Sequence, residues 1–271
     1  MKFNNSESFF DYIKTLRFIA SKDLGQNFLI NPQTAQKIVE NLGAKKGEKV
    51  LEIGAGFGSL SYFLVQSEAD VFLMDVDPKT IAFLNEQFGD NANVNIVQES
   101  ILKHDVSKYQ KIIGNLPYYI TSDTIEHCLL NGFKTTKMVF MIQKEVVQRL
   151  TAKTGEDGYG PLSILVSFLG AIKKTINVGR TQFVPIPNVE SSVIEINIHE
   201  NRDYETAQKL NKLTKSLFHH RRKTIRNNLR LLLNDSILAD ETLSILNVDG
   251  AKRPQDLDLT FYLALIKQLK F

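Results

Sequence analysis

The chain has 271 residues, of which 43% are hydrophobic, enough apolar mass for one large domain and a small one at about 100–200 residues each. Its single cysteine, Cys128, excludes an intrachain disulfide and fits a reducing compartment. No run approaches the ~18 apolar residues of a membrane span, and the first ten residues carry no signal pattern, so a cytoplasmic protein with no membrane association is expected. The net charge of +3 hides an asymmetry: between Thr206 and Asn234 stand eight basic side chains and no acid, leaving 25 basic groups against 30 acids elsewhere. A basic module on an acidic body points to a polyanionic partner.

In chain order, Phe9, Tyr12, Ile13, Leu16 and Ile19 form a lead-in at helical spacing. A helix is predicted over Pro32–Leu42, with Asn31 as cap and Pro32 in the first position. Short apolar runs follow at Lys49–Ile53, Asp70–Met74, Val94–Val97, Lys111–Gly114 and Lys137–Ile142, with helix-like patterns such as Ser59–Gln66 and Pro78–Phe88 among them. This alternation predicts an α/β fold with a parallel, doubly wound sheet. Thr151–Pro161, rich in glycine and charge, reads as an exposed, mobile loop; Ile164–Leu169 fits a helix or a strand. Phe183–Asn188 carries two prolines and reads as stiff and extended, and Ser192–Ile198 as a late edge strand. Beyond Asp203 only helical patterns occur, placing a boundary near residue 200: a domain of residues 1–200, then a helical one of 201–271.

Val50-Leu51-Glu52-Ile53 runs into Gly54-Ala55-Gly56-Phe57-Gly58. Glycine lets a chain turn out of a strand and approach a ligand without a Cβ in the way. The second strand ends at Asp75, 21 residues after Gly54, the distance at which an acid meets ribose hydroxyls. A dinucleotide loop needs glycine where Ser59 stands; the G-x-G-x-G form resembles S-adenosylmethionine sites, which cradle no pyrophosphate. The bland alternative is a loop that merely packs helix on strand.

Asn115-Leu116-Pro117-Tyr118 closes the fourth strand at the carboxyl edge, where open α/β sheets bind ligands. An adenine amino nitrogen is a poor nucleophile, its lone pair being delocalised into the ring. Two acceptors on its hydrogens, the Asn115 side-chain oxygen and the Leu116 carbonyl, would turn that lone pair toward a methyl donor. Pro117 stiffens the segment, Tyr118 offers a stacking face worth about 1–3 kcal/mol, and Phe183 is a candidate for the other face. No general base is needed before attack, and the base must leave its stack to react. Alone, the tetrapeptide also fits a strand-end turn with an exposed tyrosine.

In the basic segment, Arg222, Arg226 and Arg230 form a stripe that repels itself unless an anion faces it. With Arg221 and Lys223 they are the candidate RNA contacts, against the alternative of a solvated helix face. On this reading Arg222→Ala with Arg226→Ala weakens RNA binding and its salt dependence. The histidines lack metal-ligand spacing, and no metal is expected.

Seven spaced motifs together resemble the small-subunit ribosomal RNA adenine dimethyltransferase family. They are Leu24-Gly25-Gln26-Asn27-Phe28-Leu29, Glu52-Ile53-Gly54-Ala55-Gly56, Gly114-Asn115-Leu116-Pro117-Tyr118-Tyr119-Ile120, Gln143-Lys144-Glu145-Val146 with Arg149-Leu150, Phe183-Val184-Pro185-Ile186-Pro187-Asn188-Val189-Glu190-Ser191, Arg221-Arg222-Lys223-Thr224 and Lys252-Arg253-Pro254. The resemblance implies a Rossmann-like S-adenosylmethionine methyltransferase sheet with a small C-terminal helical domain that helps hold rRNA. It implies dimethylation of two adjacent adenosines near the 3′ end of small-subunit rRNA, within an assembling subunit, by a monomer. It places Asn27, Leu29, Gly54, Asp75 and Asn115 around the cofactor, and Asn115, Leu116, Tyr118 and Phe183 around the target base. Asp75 stands where the family usually has Glu. The family's acid at the cofactor adenine falls on Ser100, with Glu99 one residue earlier; either side chain can take that contact. The rival readings are a large-subunit adenine methyltransferase of the macrolide-resistance type, disfavoured by Leu116, Arg221-Arg222-Lys223 and Lys252-Arg253-Pro254, and a non-catalytic rRNA-binding factor.

Overall fold

The computed structural model describes residues 5–16 and 25–269; Ile19 of the lead-in and Leu24 of the first motif lie outside them. The chain divides into two compact units, Met1–Val147 with Lys173–Glu200, and Gln148–Ile172 with Asn201–Phe271. The second takes in a stretch of some 25 residues that the sequence reading assigned to the first domain.

In chain order the elements are α1 (Ser6–Thr15), β1 (Phe28–Leu29), α2 (Pro32–Leu42), β2 (Lys49–Ile53), α3 (Ser61–Leu64), β3 (Asp70–Asp75), α4 (Pro78–Phe88), β4 (Val94–Gln98), β5 (Lys111–Asn115), α5 (Thr121–Asn131) and β6 (Lys137–Gln143). There follow α6 (Lys144–Thr151), α7 (Pro161–Leu169), β7 (Gly170–Val178), β8 (Phe183–Val184) and β9 (Ser191–Ile198). Local chemistry sets the boundaries. Asn31 Oδ1 accepts from the Thr34 amide at 2.8 Å to start α2, and Gly43 ends it in the left-handed conformation. Asp77 caps α4 in the same way. The helix expected over Ser59–Gln66 is shorter, because Val65–Ser67 tightens into a 3₁₀ turn.

The sheet order is β4-β3-β2-β5-β6-β9-β7. The first five strands are parallel, and β9 runs antiparallel to β6, with Lys137 opposite Asn197 and Gln143 opposite Ser191. The predominantly apolar runs of β2, β5 and β6 are buried, as parallel strands covered on both faces must be. The late strand is not at the edge: β9 lies between β6 and β7, and β7 was not foreseen as a strand. The polar residues of β9 misled the reading because they are compensated by neighbouring strands, the buried Glu195 lying 3.2 Å from both Lys137 and Lys173. The core of this unit is strongly aromatic; Phe9 of α1 stacks on Tyr62 at 4.8 Å and meets Phe88 edge-on.

The second unit packs α7 with α8 (Tyr204–His219), α9 (Ile225–Leu233), α10 (Ser236–Ile245) and α11 (Leu259–Leu269). Ile164, Leu213, Leu229, Leu243, Tyr262 and Leu265 lie in its core. The Lys252-Arg253-Pro254 motif is a fastener within it: the Lys252 carbonyl accepts from the Ile225 amide at 2.6 Å, and the Pro254 carbonyl from the Tyr262 hydroxyl at 2.5 Å. The Thr151–Pro161 segment is largely exposed, as expected, and is anchored by the Gly155 amide, which donates to Gln255 O at 2.9 Å, and by the buried Tyr159. Among the described residues no helix is long and apolar enough to cross a membrane.

Candidate active site

A cavity of about 180 Å³ opens where β2, β3, β4 and β5 end. The chain leaves β2 toward β3 and β4 on one side and returns as β5 on the other, so the cavity lies at the switch point of the sheet. Gly54 and Gly56 line it with φ of +66° and +54°. A Cβ at Gly54 would stand 3.6 Å from Asn115 O, and one at Gly56 3.3 Å from the Phe28 ring. The third loop glycine serves packing: Gly58 is not among the lining residues, and a Cβ there would lie 2.7 Å from Phe88. Ser59, where a dinucleotide loop has glycine, donates its hydroxyl to Leu29 O at 2.8 Å.

Two acids meet this loop. The Asp75 carboxylate accepts from the Gly56 amide at 2.8 Å and the Asp77 amide at 2.9 Å. Each oxygen thereby keeps further accepting capacity toward a ligand, while burial pushes the carboxyl above its ordinary range. Glu52, the acid that sequence reasoning passed over, also lines the cavity. It is 1% exposed, accepts from Ser61 Oγ at 2.7 Å, and burial pushes it up to about 8 despite that bond. Its place in a strand that otherwise reads as apolar was the available signal.

Asn115 closes β5 and donates its amide to Asn27 O at 2.9 Å. That assignment leaves Oδ1 as the atom free to accept from a ligand. Asn27, Leu29, Asn115, Leu116, Pro117 and Tyr118 all line the cavity. The hydroxyl of Thr121 donates to Pro117 O at 2.9 Å, and Tyr118 OH lies 3.4 Å from Ser191 Oγ. Phe183 is not brought to the cavity wall. It sits in β8 opposite Leu29, 1% exposed within the hydrophobic core, because its strand pairs with β1 and turns the ring inward.

Glu99 and Ser100, just beyond β4, both line the cavity. The Glu99 carboxylate is 2.6 Å from His104 Nδ1, and His104 Nε2 is 2.8 Å from the Tyr109 hydroxyl. This pair behind Glu99 was not anticipated; histidines were considered only as metal ligands. Among the described residues no cluster of three or more His, Cys, Asp or Glu is arranged to hold a metal ion.

In the second unit Arg221, Arg222 and Lys223 are exposed in the turn between α8 and α9. The stripe of like charge is not left unopposed, as its lack of local acids suggested. Asp240 of α10 pairs with Arg230 at 2.7 Å and with Arg226 Nε at 3.3 Å. A window confined to one segment hid an acid supplied by the next helix.

The sheet order and the glycine loop beside Asp75 define a Rossmann-like methyltransferase. A dimethyladenosine transferase from Plasmodium falciparum has a similar structure, with TM-score 0.74 and 24% identity over 89% of this chain and 96% of that one. The 23S rRNA methyltransferase ErmE follows, with TM-score 0.66 and 21% identity over 90% and 100%. In sequence the chain is 35% identical to ribosomal RNA small subunit methyltransferase A of Streptococcus gordonii, over 93% of each chain. It is 36% identical to the protein of the same name from Pseudomonas syringae pv. tomato, over 92% of this chain and 94% of that one. Residues 17–267 match the ribosomal RNA adenine dimethylase family. The chain belongs to that family.

Proposed function

We propose that the protein uses S-adenosylmethionine to dimethylate the exocyclic N6 of two adjacent adenosines near the 3′ end of small-subunit rRNA, acting in the cytoplasm as a monomer on an assembling subunit. The residues suit the cofactor. Gly54 and Gly56 form a cradle that a Cβ would fill, Asp75 offers acceptors for ribose, and Asn27, Leu29 and Asn115 complete the wall. Bound there, S-adenosylmethionine supplies an electrophilic methyl group.

The observation that carries the reading is the fixed amide of Asn115, whose nitrogen is spent on Asn27 and whose oxygen is left for the target amine. Asn115 Oδ1 and the Leu116 carbonyl grip the two amine hydrogens, which orients the lone pair. Pro117, with φ of −57°, stiffens the grip, and Tyr118 stacks on the base. Positioning of this kind supplies up to ~7–11 kcal/mol. Phe183 covers the second face only if β8 shifts when the base enters. The exposed Arg221, Arg222 and Lys223 hold the RNA backbone, with Arg226 and Arg230 shared with Asp240.

The test methylates isolated small and large subunits with the wild type and Asn115→Ala, and maps the product by mass spectrometry. Dimethyladenosine is expected in small-subunit rRNA only, and Asn115→Ala is expected to bind RNA without transferring methyl. Product confined to the large subunit, or an Asn115→Ala variant that methylates normally, refutes the reading.

A further inference from the structure

We propose that Tyr119 is the platform on which the nucleotide beside the target adenosine stacks while that adenosine occupies the cavity. The inference rests on the function proposed above and adds to it a contact for a base that is not methylated in that encounter. Exposed apolar side chains are common on protein surfaces and carry no meaning singly. Tyr119 differs in its place. Of the exposed large hydrophobic side chains among the described residues, only Val76 and Tyr119 line the cavity, and Tyr119 alone has a flat face. It is 58% exposed, and among the described residues it has neither a hydrogen-bond nor a ring partner.

The backbone beneath the ring is held firmly. Tyr119 is the middle residue of the 3₁₀ turn Tyr118–Ile120, between the end of β5 and the start of α5. The Pro117 carbonyl accepts from the Ile120 amide at 3.3 Å and from the Thr121 hydroxyl at 2.9 Å, which closes the turn. Three residues per turn set successive side chains about 120° apart, so Tyr118 and Tyr119 leave it in different directions. Tyr118 carries its hydroxyl to 3.4 Å from Ser191 Oγ on β9, whereas the Tyr119 ring lies beside Gly25. A Cβ at Gly25 would stand 3.6 Å from Tyr119 Cδ1 and 4.0 Å from Cε1. The ring thus rests against a residue with no side chain to cover it.

A base drawn out of its stack leaves its neighbour with one bare face, and that loss opposes extrusion. An aromatic ring at the edge of the receiving pocket restores the stack, and does so for any base because every base has a π face. Tyr118 and Tyr119 are adjacent residues, about 3.8 Å apart at Cα, as the target and its neighbour are adjacent nucleotides. Tyr118 receives the one and Tyr119 the other. Stacking uses the ring and not its hydroxyl, and this sets the order in which variants of Tyr119 lose function.

The experiment measures kcat/KM for methylation of isolated small subunits by the full-length protein, alongside calorimetric titration with S-adenosylhomocysteine. Tyr119→Ala and Tyr119→Leu are expected to lower kcat/KM at least about fivefold, leucine because it keeps an apolar contact with Gly25 but offers no flat face. Tyr119→Phe and Tyr119→Trp should stay within about twofold of the wild type, and all four should bind S-adenosylhomocysteine as the wild type does. The partner is identified with subunits reconstituted on rRNA carrying a synthetic 3′ segment, in which one or the other nucleotide flanking a target adenosine is abasic. With the base missing at one flank, the wild type should fall to the level of Tyr119→Ala, and the difference between them should vanish. Wild-type protein that forms no dimethyladenosine in intact small subunits refutes the proposed function and this proposal with it. Four results overturn the stacking role and leave the proposed function standing: full activity in Tyr119→Ala or Tyr119→Leu, a loss in Tyr119→Phe equal to that in Tyr119→Ala, S-adenosylhomocysteine affinity that falls in step with transfer, or a difference that survives removal of either flanking base.

Discussion

Glu52→Gln is expected to stabilise the ligand-free protein, and to do so increasingly as pH rises. The carboxyl is 1% exposed and held near 8 by burial, with one hydroxyl donor at 2.7 Å and Asp75 adding repulsion. In the unfolded chain it titrates at about 4.5. Between those values the folded state keeps a proton that the unfolded state has released, so stability falls with pH, by about 1.4 kcal/mol per pH unit. The deficit is about 3 kcal/mol at pH 7 and levels off at about 5 kcal/mol above pH 8. Against a total stability of about 5–15 kcal/mol that is a large fraction. Glutamine can still accept from Ser61 but cannot ionise, so the loss disappears. Urea unfolding of both proteins at half-unit steps from pH 4 to 9 measures it. Parallel stability curves between pH 5 and 8 would falsify the argument, since they would mean that Glu52 titrates alike in both states.

Three further outcomes follow from the packing and the charges. Gly58→Ala meets both a φ of +79° and the Phe88 ring at 2.7 Å, so a loss of about 2–4 kcal/mol is expected in denaturant unfolding; a loss below about 1 kcal/mol would show that the ring yields freely. Phe183→Ala removes a ring buried in the core and should cost about 3–5 kcal/mol, so its activity has to be read at a temperature where the variant is still folded; a near-neutral change places the ring outside the core. Arg222→Ala with Lys223→Ala should lower the salt slope of RNA binding by up to about 1.4, at about 0.7 per single-strand phosphate contact. Arg230→Ala should lower it less, since Asp240 already holds that side chain; a larger fall for Arg230 reverses the ranking.

What could be read from the sequence was whatever is decided within a few residues. Asn31-Pro32 announced the start of α2, and the predominantly apolar runs announced β2, β5 and β6, because caps and buried strands are local or periodic. The glycine loop, Asp75 and the Asn115–Tyr118 turn were legible for the same reason: backbone geometry at a strand end limits which residues fit. Several of the misreadings involve compensation from a distant segment. Glu195 made β9 look like an edge because Lys173 belongs to β7, Asp240 reaches Arg226 and Arg230 from α10, and Tyr109 aligns His104 behind Glu99. Phe183 was misplaced because its ring direction depends on pairing with Leu29, more than 150 residues earlier in the chain.

The neutral Glu52 also bears on how the cavity receives a positively charged ligand. Three carboxyl groups, Glu52, Asp75 and Glu99, share the wall, and burial raises the first two. With Glu52 held near 8, the cavity wall carries less negative charge at neutral pH than its composition suggests. A cation admitted to it favours the ionised form of Glu52, so binding expels a proton, and affinity rises with pH by at most about tenfold per unit until the carboxyl is already ionised near pH 8. Titrating S-adenosylmethionine in two buffers of different ionisation enthalpy counts that proton directly. The release should approach one at pH 6.5, vanish above pH 9, and be absent in Glu52→Gln. If the variant releases as many protons as the wild type, another group carries the linkage and the charge on Glu52 is irrelevant to cofactor entry.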